Sequence, residues 1–526
     1  MQGQSSYDEF PYISYPFHYT RPEHLMTIGK LFGMNLPDIS NARVLELGSA
    51  CGGNLITFAS NYPDSYSIGV DLSKLEIENG AKIIKDLELK NIELRNISIT
   101  DIDESFGRFD YIICHGVFSW VPDCVKNKIL EVSSKLLNPN GIAFISYNTM
   151  PGWNMVNSLR DMLIFHSKIF ESPVDKINQA RLFLNFISET LCGSNSAYAK
   201  FLEQEALNLA TKEDQYILHE YLIGQNDQFY FHEFMSMAKS HNLSYLGDSN
   251  IHSMFLGNLP AKAAEKLSTI NDIVHAEQYM DFIHNRRFRR TLLCHEDVIL
   301  NRNITPEKML EFYSTFNLVA SMPLQDVDLN DASETITFYF NDSQDPGVST
   351  SSPIMKAIFY TYAENIGNPL LFSELFDLAY QKLHEVSVED IKMEFNNVVG
   401  RLVFGGYATL FAIKPNAIFY ISSKPQASNA AIYQARNARL DRLFVTNQIN
   451  EIVQLKIHEK YILELLDGTN DIAAIKAKIL EKLISGDIVA SESGNQITDQ
   501  TILEKLADDC VTRSLELFRT NYLLVG

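Results

Sequence analysis

The chain has 526 residues, of which 46% are hydrophobic, enough for roughly three or four domains with sizeable cores. Its 65 acidic side chains outweigh 44 basic ones, for a net charge of −21. That disfavours a nucleic-acid substrate and suits either a cationic partner or a plainly solvated acidic surface.

The N-terminal segment, 1–40, is rich in aromatics, with Tyr15 and Tyr19 among them, and is broken by Pro11, Pro16 and Pro22. It reads as an extended arm that either packs across a sheet edge or lies as a flap with Tyr15, Tyr19 and Thr20 turned inward. Residues 41–153 then alternate strand and helix, as a parallel sheet with right-handed crossovers requires. Val44–Leu47 is an apolar run suited to a buried strand, followed by a glycine turn at Gly48, Gly52 and Gly53. A helical stretch and a second strand, Tyr66–Val70, lead to Asp71. The glycines let the loop turn sharply, and the loop amides with the next helix N-terminus can receive a carboxylate. An acid at the end of the second strand can accept hydrogen bonds from ribose hydroxyls. The spacing Gly48-x-x-x-Gly52 is not that of a dinucleotide fold, so a pyrophosphate is not expected.

A third strand, Ile92–Ile97, precedes Thr100-Asp101-Ile102. A fourth, Tyr111–Cys114, leads into His115-Gly-Val-Phe118-Ser-Trp120. A helix is stopped by Asn138-Pro-Asn-Gly141, and a fifth strand, Ile142–Tyr147, ends in Asn148. The pattern is helical from 154 to 245, mixed from 246 to 352, and closes on a polar linker around Asn341–Pro353. The tail divides into 353–425, with helices and a strand pair Tyr407–Ile413 and Ala417–Ile421, and 426–526; both suggest winged-helix-like units. Six cysteines are scattered without a Cys-x-x-Cys pair, and the N-terminus carries Asp8 and Glu9 where a signal peptide would be apolar. No uncharged apolar run is long enough to span a membrane. A cytoplasmic protein without metal or stable membrane insertion is expected.

Glu46-Leu-Gly-Ser-Ala-Cys-Gly-Gly-Asn54, with Asp71, resembles the first motifs of class I S-adenosylmethionine-dependent methyltransferases. Tyr147-Asn-Thr-Met-Pro-Gly-Trp153, Asn226–Phe234, Asn285–His295 and Tyr15–Pro22 narrow the resemblance. Together they are similar to bacterial methyltransferases carrying a regulatory domain, above all the rickettsial protein-lysine methyltransferases of outer membrane protein B, a surface autotransporter. One departure is Ser49-Ala50-Cys51, where many relatives carry Cys-Ala-Ser; the glycines are untouched.

The resemblance implies an α/β Rossmann-like methyltransferase domain with large helical and α+β accessory domains. It implies S-adenosylmethionine as cofactor and S-adenosylhomocysteine as product. The cofactor-binding set would be Tyr15, Tyr19, Thr20, Glu46, Gly48, Ser49, Gly52, Asn54, Asp71, Leu72, Asp101, Ile102 and His115. Asp71 would hold the ribose, Asp101 the adenine amine, and Glu46 the loop or the ammonium. Tyr147, Asn148 and His115 would serve the reacting amine, and Phe118, Trp120 and Trp153 an apolar channel to it. Structural roles compete at each: a helix N-cap for Asp101, a satisfied histidine for His115, core packing for the aromatics. The basic cluster Arg286, Arg287, Arg289, Arg290 is read as internal pairing with acids such as Glu277 and Asp281 rather than as a phosphate contact. A lysine-bearing surface protein is the expected partner, and 154–245 a candidate dimer contact. A small-molecule or RNA methyltransferase and a non-catalytic cofactor-sensing adaptor are the competing functions.

Overall fold

The computed structural model describes residues 16–340, 346–384, 387–492 and 495–526. Tyr15 and the aromatics before it lie outside the described residues. Helix α1 (Pro22–Leu31) follows a single 3-10 turn, His18–Thr20, with Pro22 at its first position. Five parallel strands come next: β1 (Arg43–Leu47), β2 (Tyr66–Asp71), β3 (Ile92–Asn96), β4 (Phe109–Cys114) and β5 (Leu137–Asn148). The crossover helices are α2 (Gly53–Asn61), α3 (Lys74–Asp86) and α4 (Asp123–Lys135). The breaker cluster Asn138–Gly141 does not delay β5; it sits inside the strand, where the pairing with β4 shifts register.

Residues 154–245 hold α5 (Trp153–Ser167), α6 (Pro173–Thr190) and α7 (Ala197–Ala210), packed around their own core of Val156, Leu159, Leu163, Ile177, Leu184 and Leu202. The chain then returns through α8 (Phe231–Ser240) to β6 (Leu243–Asp248), and through α9 (Ile273–His284) to β7 (Phe288–His295). These two strands close the sheet in the order β3-β2-β1-β4-β5-β7-β6, with β7 antiparallel to both neighbours. The expected boundary between 245 and 246 therefore cuts through β6. The sheet's closing antiparallel pair is present, but the helical insertion separates it from β5 and α9 lies between its two strands, which hides it from a local reading.

The middle and tail depart from expectation at three points. Residues 346–350 form β11 (Pro346–Thr350) against β10 (Ile336–Phe340), which also pairs with β9 (Leu318–Ala320), so only 341–345 of the expected linker lies outside the described residues. Of the expected strand pair, only β13 (Thr409–Phe411) forms; Ala417–Ile421 is irregular. Strand β13 pairs instead with β8 (Tyr313–Thr315), which also pairs with β12 (Leu370–Leu371). The unit expected at 353–425 thus borrows a strand from before its start. The last unit packs α10 (Gln500–Thr520) into a separate core with Ile462, Ile475, Ile479 and Val511. By contrast, α1 and one face of the sheet share a core with the middle region, and Ala412 N donates to Thr27 Oγ1 at 3.0 Å.

Candidate cofactor and acceptor site

The carboxyl ends of β1, β4 and β5 and the amino end of β7 converge beside the turn after β1. Gly48 has φ +78, and a Cβ there would lie 2.4 Å from Val117 Cγ2, so only glycine fits. Ala50 is held at φ 45, a left-handed conformation that costs a non-glycine residue about 1–3 kcal/mol. Asp71 supports it: its Oδ2 accepts Ala50 N at 2.9 Å while its Oδ1 accepts Ser73 N at 2.8 Å. The amides of Gly48 and Ser49 both donate to Val70 O, and Gly52 N to Ser49 O. These amides, expected to receive a carboxylate, are spent on the turn itself. Ser49 is buried, and its hydroxyl lies 3.5 Å from Ala50 O.

Beneath the turn, Glu46 is 3% exposed, with Oε1 accepting Asn54 Nδ2 at 2.6 Å. Its Oε2 is buried and has no partner among the described residues. Burial pushes the carboxyl up to about 8; the Asn54 bond opposes this and the nearby Asp71 adds to it. A buried, unsatisfied acceptor is costly unless something comes to it. An ammonium group fits that need, and its charge favours the ionised carboxylate. Asn54 also ties the arm down, accepting Phe17 N at 2.8 Å on Oδ1. Beyond Asp71, Leu72 is 70% exposed, an open apolar face of the kind an adenine ring covers. Asp101 is exposed at the end of a 3-10 turn capped by Ser98, so it is not an N-cap. Ile102 is 1% exposed and belongs to the core under the sheet, not to an open adenine face.

His115 is enclosed by Phe17, Tyr19, Phe144 and Phe288. Its Nε2 lies 3.2 Å from Tyr19 Oη and its Nδ1 2.8 Å from Ser146 Oγ. Burial, with Arg290 nearby, pushes its pKa down to about 3, so it is a neutral residue that positions the arm rather than a poised base. The Arg290 guanidinium lies 4.2 Å from the Tyr19 ring centroid and forms no ion pair among the described residues. Thr20 is fully buried, its hydroxyl donating to Phe17 O at 2.9 Å, so it braces the turn instead of facing a ligand.

Strand alternation separates Tyr147 from Asn148. Tyr147 points to the other face of the sheet, 1% exposed, stacked 4.1 Å from Phe234 and bonded to Thr291 Oγ1 at 3.0 Å. It cannot meet an amine there. Asn148, Ser146 and Arg290 share the face with His115. Asn148 N donates to Ser119 Oγ at 2.9 Å and Asn148 Nδ2 to Asn226 Oδ1 at 2.9 Å, while Asn148 Oδ1 accepts no bond among the described residues. The expected channel is also corrected. Phe118 is fully buried against Phe229 and Phe234, and Trp153 is a core residue of the helical insertion. Trp120 already carries a cation, the Arg160 guanidinium 5.4 Å away. Phe17, Ser146 and Asn226 carry no site role in the sequence reading, and Arg290 enters it only as one of a basic cluster expected to pair internally. The signal for Ser146 was its period-two placement with Asn148.

Comparison with known proteins agrees with this geometry. Residues 38–220 match the family model described as Methyltransferase domain, 213–295 that described as Predicted methyltransferase regulatory domain, and 423–523 that of the PKMT C-terminal winged helix domain. The structure of PKMT2 from Rickettsia typhi in complex with AdoHcy is 49% identical, covers 98% of this chain and all of that one, and superposes with a TM-score of 0.93. The structure of the same protein described without that ligand gives 0.92. An uncharacterised protein of Rickettsia prowazekii is 46% identical over 99% of this chain and 93% of its own length. No helix among the described residues is long and apolar enough to cross a membrane. The cofactor is S-adenosylmethionine, and the unsatisfied Glu46 carboxyl and exposed Leu72 fit it. The chain belongs to the rickettsial PKMT family of class I S-adenosylmethionine-dependent methyltransferases.

Proposed function

We propose that the protein is a cytoplasmic protein-lysine N-methyltransferase acting on lysine side chains of a bacterial outer membrane autotransporter. The observation that carries this reading is the whole-length likeness to PKMT2, winged-helix unit included. The net charge of −21 suits a lysine-bearing acceptor. A homodimer through α5–α7 belongs to the same proposal; Phe165, Leu182, Phe186 and Leu207 are exposed there.

Bound S-adenosylmethionine supplies a methyl group on a cationic sulfur, transferable by direct displacement. The protein's part is to hold and to orient. Glu46 takes the ammonium of the methionyl end, Asp71 the ribose, Leu72 and Asp101 the adenine. A free lysine amine has a pKa of ~10.4, so deprotonation at pH 7 costs roughly 4–5 kcal/mol. The unpaired Arg290 cation lowers that cost, and Asn148 Oδ1 accepts an N–H of the amine, directing its lone pair. No side chain need act as a dedicated base.

The test is mass spectrometry of an outer membrane autotransporter after incubation with the enzyme and labelled methyl donor. Label on lysine ε-nitrogens is expected; label confined to RNA or small metabolites would refute the reading. Glu46 gives a second expectation. Its carboxyl, raised to about 8, is protonated in the free protein at neutral pH and must ionise to take an ammonium. S-adenosylhomocysteine binding should therefore release a proton below about pH 8, and affinity should rise with pH up to that point. Glu46→Gln should abolish the proton release, read by calorimetry in buffers of different ionisation heat. Equal release in the variant would exclude Glu46 as the source.

A further inference from the structure

Residues 226–229 cross the carboxyl ends of β4 and β5 as a clamp. Asp227 N donates to Ser119 O at 2.8 Å, Phe229 N to Asn148 O at 3.2 Å, and Met150 N to Phe229 O at 3.0 Å. Side chains reinforce it: Lys126 pairs with Asp227, Asn157 Nδ2 donates to Gln228 Oε1 at 2.7 Å, and Gln228 Nε2 to Asn226 O at 2.6 Å. So tight a mooring fixes where the Asn226 amide sits. Its Oδ1 accepts Asn148 Nδ2, while its own Nδ2 is buried without a partner among the described residues. Such an orphaned donor costs about 1–3 kcal/mol, and a purely structural position would be expected to shed it.

An amide is planar, so pinning its nitrogen also aims its oxygen. Without Asn226, the Asn148 side chain is free to rotate about a broad, roughly two-fold torsion. Half of that range would turn an N–H toward the amine and engage the lone pair that must react. We propose that Asn226 is a positioning residue of the acceptor site, holding the Asn148 carbonyl toward the incoming nitrogen. This rests on the reading of Asn148 given above. Asn226 lies in the 213–295 region matched as a predicted regulatory domain, which thereby supplies part of the catalytic centre.

The test compares Asn226→Ala and Asn226→Asp with the wild type, on whichever acceptor the wild type methylates. Asn226→Ala should lower kcat roughly 10–100-fold, with S-adenosylhomocysteine affinity within about two-fold of wild type. Asn226→Asp keeps an acceptor for Asn148 Nδ2, so it should recover most of kcat at high pH. Its carboxylate favours the protonated amine, so its pH–rate midpoint should move upward. An unchanged kcat in Asn226→Ala, an equal loss of cofactor affinity, or an Asp variant as slow as Ala across the pH range would each overturn the proposal. A wild type that methylates only something other than lysine would instead refute the acceptor reading, and the variant ratios would still decide the role of Asn226.

Discussion

Asp71→Ala is expected to weaken S-adenosylhomocysteine binding by roughly 10²–10⁴-fold. Hydrogen bonds to a charged group contribute about 1.5–3 kcal/mol each, and two ribose hydroxyls would lose theirs together. The carboxylate oxygens already accept Ala50 N and Ser73 N, and a carboxylate has about four acceptor sites in all. Removing the side chain also frees Ala50 from its left-handed conformation, so part of the loss could come from a relaxed loop. A thermodynamic cycle separates the two causes. S-adenosylhomocysteine and its 2′-deoxy analogue are titrated into wild type and variant by calorimetry. If Asp71 holds the sugar, removing the hydroxyl weakens binding to the wild type but costs little in Asp71→Ala. Equal losses in both proteins would reduce Asp71 to a support for the loop.

The contrast between Asp71 and Tyr147 shows what the sequence could carry. The end of a strand, the glycines of a tight turn and an acid twenty-odd residues later are local signals, and each sits where expected. Tyr147 and Asn148 were assigned to the same task although neighbours on a strand face opposite ways; period two alone argued against it. Phe118 and Trp153 failed for another reason. An aromatic beside a site and an aromatic in the core look alike until the insertion packs, and here α5–α8 supply the buried partners. The closing strand pair is obscured because a mostly helical insertion, from Trp153 to Ser240, separates β5 from β6. Asn226 could not be found by spacing, since only the folded clamp brings it to Asn148. Charge pairing within Asn285–His295 was legible because four arginines in an acidic chain must find acids, and three of them do; Arg290 is the exception.

Arg289→Met is expected to destabilise the sheet domain by about 3–5 kcal/mol. The Arg289 guanidinium is fully buried, bidentate to Asp281 at 2.7 and 2.8 Å and bonded to Glu277 Oε2 at 2.9 Å. Its carbon lies 3.7 Å from the Phe231 ring centroid, so one side chain joins β7, α8 and α9. Methionine fills similar volume but takes from Glu277 its bonded cation and leaves Asp281 with the Arg286 guanidinium alone, at 3.0 Å. Burial already raises both carboxyls, and loss of the arginine raises them further. They would then be protonated when folded and ionised when unfolded, so stability would fall as pH rises above their unfolded values. The deficit should therefore widen as pH is raised above the unfolded carboxylate range, read by urea unfolding. Glu277→Gln added to Arg289→Met should recover part of it. Arg439→Met, which breaks a pair whose arginine side chain is 79% exposed, should cost no more than about 1 kcal/mol. A deficit independent of pH and untouched by Glu277→Gln would mean that lost packing, rather than stranded charge, is what the variant measures.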